Sequence, residues 1–417
     1  MGYVGFPLVR LFSTKFPVIG FDINPNRVEE LNAGHDSRLE VPDDLIAEAL
    51  TLNGLRCTSD IEQIEDCNFY VVAVPTPVNN ENVPNLNPLY GASEIVGKVL
   101  KKGDIVVYES TVYPGVTEEK CIPVLEKVSG LAFNKDFYCG YSPERINPGD
   151  KLHTVETIRK VTSGSTPEAA DIIDDVYNSV LINGTHKAPS IKVAEASKVI
   201  ENCQRDVNIA FFNEIAKIFN AMGIDTQDVI DAASSKWNFI RMKPGLVGGH
   251  CISVDPYYMI KKAMECGLDP QLLVSARETN EGMGAYVARE TIDLMNRKGL
   301  MVKDSNILLL GFTFKENCTD LRNTKVANVY VTFKEYTSNV DVVDPWAYVD
   351  EANRDYGVVI KPYDLDNMRG RYDAVVLAVA HREFLDIDVR SLLKDPANGV
   401  VYDVKGVLPK NQVDGRL

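Results

Sequence analysis

The chain is poor in the residues that mark metal, disulfide or nucleic-acid proteins. Its 417 residues include five histidines and eight cysteines, the latter scattered at 57, 67, 121, 139, 203, 251, 266 and 318. There is no CxxC pair and no histidine at ligand spacing, which argues against zinc and other metal sites and makes reduced thiols the simplest account. Positive charge is in deficit: 44 Lys and Arg against 59 Asp and Glu leave a net charge of −15. So acidic a chain is a poor general binder of nucleic acid or anionic membrane, and any phosphate it holds must be met by a local cluster of donors. No apolar run reaches the roughly 18–20 residues of a membrane span, and no charged and apolar leader opens the sequence. The expectation is a cytoplasmic protein with a small-molecule ligand.

What is present is enough apolar residue, 45%, to bury more than one core, and the length suggests two or three domains. Short β-branched runs at Val18 to Asp22, Asn68 to Val74, Asp104 to Glu109 and Asp136 to Tyr141 alternate with amphipathic stretches. Strand and helix in alternation predict a parallel, doubly wound sheet with functional residues at the carboxyl ends of strands. A long helix follows from Ile191 to Met222, and a second helical region from Leu268 to Lys298. Alternation resumes with strands at Asn306 to Leu310, Val340 to Val343, Ala374 to Val379 and Gly399 to Val404, the second of them closed by Asp344-Pro345. The fold class is therefore α/β: two Rossmann-like doubly wound domains, residues 1–186 and 299–417, joined by a long central helix and helical region over 187–298.

The first residues read Met1-Gly2-Tyr3-Val4-Gly5, and Asp22 closes a strand twenty residues after Gly2. In a dinucleotide fold, glycines admit the pyrophosphate at a helix N-terminus and an acid after the second strand holds the ribose hydroxyls. Gly2, Gly5 and Asp22 fit the last two glycines of GxGxxG and its acid, with Arg27 placed toward the adenosine side. The first glycine and the strand before it are missing from the sequence, which reads as a start at an internal methionine of a longer protein; a plain helix start is the simpler alternative. Val74-Pro75-Thr76-Pro77 and Glu109-Ser110-Thr111 both stand at carboxyl strand ends, where a ligand crevice would lie.

A glycine-rich turn, Gly245-Leu246-Val247-Gly248-Gly249-His250, runs into Cys251, with Asp255 four residues on. Glycines let backbone and ligand approach closely, so the thiol can meet a substrate carbon; most single cysteines simply pack in a core. Lys198 and Asn202, four apart on the long helix, share a face and can point at one oxygen, or Lys198 can pair with Glu195 or Asn202 on a solvated surface. After the strand ending at Gly311 no GxGxxG follows, but Lys315 and Arg322 are cations able to hold a diphosphate.

Taken in order, GYVG, VPTP, EST, SPER (Ser142 to Arg145), the helix with Lys198 and Asn202, GGHC with Asp255, and GFTFKENCTDLRNTK (Gly311 to Lys325) resemble the UDP-sugar 6-dehydrogenases over essentially the whole chain. Lys236-Trp237-Asn238-Phe239, PGLVGGHC and DPYY are most similar to the branch acting on UDP-N-acetylhexosamines. UDP-glucose enzymes usually carry another residue at His250 and often a lysine at Val254.

The resemblance implies a four-electron oxidation of a C6 alcohol to a carboxylate with NAD, supplying uronic acids for a surface polysaccharide. It implies an NAD-binding N-terminal domain, a UDP-binding C-terminal domain and a dimer, or higher homo-oligomer, built on the central helix. Cofactor contacts are expected from Gly2, Tyr3, Val4, Gly5, Asp22, Arg27, Pro75, Thr76, Thr111 and Arg322. Cys251 becomes the nucleophile that forms a thiohemiacetal and then a thioester, which water hydrolyses. Lys198 and Asn202 become the oxyanion pair, while Asp255, Glu144 and Thr111 manage protons and orient water. Glu144, Arg145, Lys198, Asn202, Asn238, Phe239, Gly245, Gly248, Gly249, Phe314 and Lys315 line the substrate, and Arg241 or Lys243 are candidates to cross the dimer. No metal is expected. The alternatives are a UDP-glucose 6-dehydrogenase, a two-electron hydroxyacid or phosphogluconate type of dehydrogenase, which has no use for Cys251, and a noncatalytic nucleotide-sugar binder.

Overall fold

A computed structural model describes residues 1–38, 40–79, 81–146 and 154–417. They form two compact units: Met1–Glu201 with Tyr257–Gly267, and Asn202–Pro256 with Leu268–Leu417.

In the first unit, β1 (Ile19–Phe21) pairs in parallel with β2 (Arg56–Thr58). A separate sheet has the order β3 (Phe69–Val72), β4 (Ile105–Tyr108), β5 (Tyr138–Tyr141), again parallel. β6 (Lys160–Thr162) and β7 (Thr185–Lys187) make a further parallel pair. Every residue of β4 is buried, as expected of a parallel strand covered on both faces. Its Ile105 and Val107 pack with Leu8 and Leu11 of the helix Gly5–Ser13 and with Ile173 and Tyr177 of the helix Pro167–Asn178. The three-residue strands β2 (Arg-Cys-Thr), β6 (Lys-Val-Thr) and β7 (Thr-His-Lys) carry too few apolar residues to stand out in the sequence.

The second unit holds a six-stranded parallel sheet ordered β10 (Ile360–Lys361), β9 (Val340–Val343), β8 (Ile307–Leu310), β11 (Ala374–Leu377), β12 (Val400–Asp403), β13 (Gly415–Arg416). Ile307 and Leu309 join one apolar cluster, Leu308 and Leu310 another. That two-sided burial is what an uninterrupted Ile-Leu-Leu-Leu run dictates. The order reverses between β8 and β11, so the loops after those strands flank the switch point at which doubly wound sheets bind ligands.

The helix Ile191–Met222 runs over the span that its pattern predicts. The helical region after it is two helices, Gln271–Glu281 and Met283–Arg297, interrupted at Gly282, the residue type least suited to a helix interior after proline. No helix of the described residues is long and apolar enough to cross a membrane.

Candidate functional site

Each unit contributes its own cluster of polar groups. In the first unit, the helix Gly5–Ser13 starts without a side-chain cap; the Phe6 amide donates to the Gly2 carbonyl (3.2 Å) and Pro7 has no N–H, so the Gly5 amide is the first-turn donor left for an anion. A Cβ on Gly5 would lie 3.7 Å from the Ala73 Cβ, so this helix start sits against the carboxyl end of β3. There, the Ser110 hydroxyl accepts from the Val74 amide (3.0 Å) and donates to the Val74 carbonyl (2.7 Å), tying the ends of β3 and β4 together. The Thr76 hydroxyl donates to the Thr111 carbonyl (2.8 Å), and the Tyr258 hydroxyl to the Thr76 carbonyl (3.0 Å). An open helix start beside two parallel strand ends bearing hydroxyls and small residues fits a dinucleotide.

Asp22, at the end of β1, accepts from the Asn24 amide (2.9 Å) and pairs with the Met1 ammonium. Burial pushes its carboxyl up, but those bonds prevail and hold it below its ordinary range. Arg27 is buried; its guanidinium bonds the Met1 carbonyl (3.0 Å), Glu30 (3.0 Å) and Asp36 (2.7 Å). The structure uses that cation as an internal tie. Arg38 lies over the Tyr3 ring, 5.2 Å from its centre, and 3.0 Å from where a Gly2 Cβ would be.

Glu144 does not pair with the Arg145 side chain. One carboxylate oxygen accepts from the amides of Arg145 (2.6 Å) and Ile146 (2.8 Å), the other from the Lys160 ammonium (3.1 Å). Arg145 instead pairs with Glu201 at 2.6 Å. Lys160 is fully buried and also bonds Glu109 (2.7 Å) and the Pro143 carbonyl (3.1 Å), and the Tyr177 hydroxyl donates to Glu109 (2.5 Å). Burial and the nearby Glu144 raise Glu109 to about 7 against the pull of Lys160; the two carboxylates, outweighing burial, push Lys160 up. Lys160 and Tyr177 escaped the sequence reading, since a lysine heading a three-residue strand gives no sign that it is buried.

On the long helix, Lys198 is 7% exposed, and among the described residues no carboxylate pairs with it. Glu195 is not its partner: that buried carboxylate accepts from the amides of Gly115 (2.5 Å) and Thr117 (2.9 Å). Burial lifts Glu195 to about 7 in spite of those bonds. Nor is Asn202 engaged with Lys198, since its side-chain amide donates to Asp255. The solvated-surface alternative for this pair is excluded by burial of both residues.

In the second unit, the turn around Cys251 dovetails with the segment after β8. Gly249 has φ +81°, and a Cβ there would meet the Phe314 ring at 2.8 Å; one on Gly248 would meet the Asn323 carbonyl at 2.8 Å. Both positions require glycine. The Gly249 amide donates to the Arg322 carbonyl (3.1 Å), and the Asn323 side chain to the Gly249 carbonyl (3.0 Å). The Cys251 carbonyl accepts the amides of Val254 (3.0 Å) and Asp255 (2.8 Å), which sets the thiol just ahead of the helix Asp255–Glu265. Its sulfur is 3.1 Å from Nδ1 of His250, whose Nε2 lies 3.7 Å from Asp320. Asp320 takes three bonds from the Arg322 guanidinium, the shortest 2.5 Å. Burial opposes its ionisation, but Arg322 and His250 hold it below its ordinary range.

Gly245 exchanges a pair of bonds with the Asn213 side chain, at 2.8 and 3.0 Å. Phe239 packs edge-on against Phe212, ring centres 6.1 Å apart, while Asn238 is exposed. Arg241 pairs with Asp231. The Lys315 carbonyl accepts from Thr313 (2.9 Å), which anchors the backbone of that loop. Asp344, beyond the end of β9, accepts the amides of Phe312 (2.6 Å) and Thr313 (2.9 Å) and contacts His381 Nε2 at 2.9 Å. His381 Nδ1 in turn accepts the Asn317 amide (3.0 Å). This buried pair clamps the loop after β8 at the switch point; the sequence reading saw Asp344 only as a strand end.

Three domains of one family match the chain. The NAD binding domain of the UDP-glucose/GDP-mannose dehydrogenase family matches residues 1–181, its central domain 192–282 and its UDP binding domain 308–410. The UDP-N-acetyl-D-glucosamine 6-dehydrogenase of Pseudomonas aeruginosa is 52% identical over 418 residues, covering 100% of this chain and 98% of its own. That of Salmonella typhi is 51% identical over 420 residues, covering 100% and 97%. A solved UDP-D-ManNAc dehydrogenase from Pyrococcus horikoshii aligns with TM-score 0.90 at 28% identity, over 100% of this chain and 96% of that one.

Proposed function

The chain belongs to the UDP-glucose/GDP-mannose dehydrogenase family of NAD-dependent enzymes, and from that premise we propose that it oxidises C6 of UDP-N-acetyl-D-glucosamine to the uronic acid. The observation that carries the substrate is the 52% and 51% identity, over essentially full length, to two enzymes of that name. The product is the kind of activated acidic sugar that a surface polysaccharide consumes, and the reaction is placed in the cytoplasm. The working division is 1–186 for NAD, 187–298 for the centre and for a homodimer, and 299–417 for UDP.

Bound NAD supplies the hydride acceptor for both oxidations, with Gly2 to Gly5, Asp22, Pro75, Thr76 and Thr111 proposed to hold it. The remaining chemistry belongs to side chains. As the C6 hydroxyl loses its proton, negative charge grows on oxygen, and a buried ammonium with no carboxylate partner among the described residues, Lys198, is suited to meet it. Asn202 shares that helix face, and Asp255, bonded to it, fixes its orientation. An aldehyde has no good hydride to lose, so Cys251 adds to it and the thiohemiacetal is oxidised to a thioester. Glu144, held by Lys160 at 3.1 Å, is assigned to orient the hydrolytic water. Phe314, Lys315, Asn238, Phe239, Arg145 and the Gly245 to Gly249 turn are assigned to the nucleotide sugar.

The test is stoichiometric. Purified enzyme with limiting UDP-N-acetyl-D-glucosamine should yield two NADH per sugar and free acid, and Cys251→Ser should lose acid production. One NADH per sugar in the parent would defeat the four-electron scheme; faster turnover of UDP-glucose would defeat the substrate.

A further inference from the structure

The turn that carries the thiol also carries a base. His250 Nδ1 stands 3.1 Å from Cys251 Sγ, within reach of the S–H proton, and the far nitrogen of the same ring faces Asp320 at 3.7 Å. Asp320 is buried and kept ionised by Arg322. A carboxylate on the Nε2 side favours the tautomer with its proton on Nε2, which leaves the Nδ1 lone pair for the thiol. The ring is fixed from the other side by Phe314, 6.4 Å between centres. The charged groups around the pair are Asp320 and Arg322 on the segment after β8 and Asp255 at the start of the following helix. Asp255 opposes a thiolate, so a cation formed beside the sulfur offsets it. Cys251 is half-buried, within reach of small reagents.

We infer that His250 is the catalytic base for Cys251, with Asp320 as a positioning residue, so that the nucleophile is activated inside its own turn. This deepens the proposed function and rests on Cys251 being the nucleophile there. The S–H bond breaks and its proton passes to Nδ1. The sulfur electron pair then forms the C–S bond to the aldehyde carbon, and the carbonyl pair moves to oxygen. The imidazolium returns its proton to that oxygen, giving the thiohemiacetal with no oxidant consumed.

The experiment follows iodoacetamide alkylation of Cys251 by peptide mapping from about pH 5 to 9, in the full chain, with exposed Cys266 as internal reference. In the parent the midpoint should fall one to two pH units below the ~8.5 of a free thiol. His250→Gln and, as a second variant, His250→Asn should move it up to that value or beyond, with at least a tenfold slower reaction near neutral pH. Asp320→Asn should shift it the same way by less, while Cys266 reacts alike throughout. A parent midpoint at the free-thiol value, or histidine variants that keep the parent's midpoint, would overturn the assignment. If Cys251→Ser still makes acid, the nucleophile reading fails whatever the alkylation profile. If Cys251→Ser is dead and His250→Gln alkylates like the parent, only the base assignment fails.

Discussion

Glu195 offers a direct check on the physics of the first unit. Its carboxylate is buried, accepts the backbone amides of Gly115 and Thr117 and interacts with the Thr117 side chain, and among the described residues no cation forms an ion pair with it to offset the loss of water. Burial, working against those two bonds, sets it at about 7 instead of the ordinary 4.5. At about 1.4 kcal/mol per pH unit, that displacement is worth about 3 kcal/mol. The sign follows from proton counting: between 4.5 and 7 the folded chain holds a proton that the unfolded chain has released. Stability from this group is therefore complete below about pH 4.5 and falls as pH rises, levelling off above 7. Glu195→Gln cannot titrate, but it offers one acceptor where two amides need one, which costs about 1–3 kcal/mol for the donor left unpaired. The variant should be less stable than the parent at pH 5, and the difference should shrink or reverse by pH 8, a swing of about 3 kcal/mol. Urea unfolding followed by circular dichroism, variant against parent at each pH, cancels the other titrating groups. A difference that stays constant from pH 5 to 8 would refute the reasoning.

Legibility in the sequence tracked how local each signal was. The run Asn306 to Leu310 reads as a strand and is one over Ile307–Leu310, and the unbroken pattern from Ile191 to Met222 reads as the helix that forms there. The pairing of Gly248-Gly249 with Phe314 and Asn323 was out of reach, although the glycines announced that something must approach them. The partners of charged residues were the least legible. Glu144 beside Arg145 suggested a local pair, yet its partner is Lys160, sixteen residues on, because a buried carboxylate must be met by whatever donors the fold brings to it, and here those include a buried ammonium. Lys198 and Glu195, three apart, likewise suggested a surface pair. Burial separates their surroundings: Glu195 caps a loop, and among the described residues Lys198 pairs with no carboxylate.

Other outcomes test the two clusters. Gly249→Ala forces a side chain into a left-handed backbone, worth about 1–2 kcal/mol, and into the Phe314 ring. Calorimetric titration should show weakened binding of UDP-sugar, and unchanged affinity would mean that the turn and the loop after β8 are not coupled. Lys160→Met removes the sole cation described between Glu109 and Glu144, and breaking a buried ion pair from one side costs about 3–5 kcal/mol. Thermal unfolding should register that loss as a lower midpoint. Glu109→Gln combined with Lys160→Met leaves one buried carboxylate instead of two, so the double variant should recover a measurable part of the lost stability. If the double variant is no more stable than Lys160→Met alone, the repulsion between Glu109 and Glu144 that this cluster implies is absent, and Lys160 acts through packing rather than through charge.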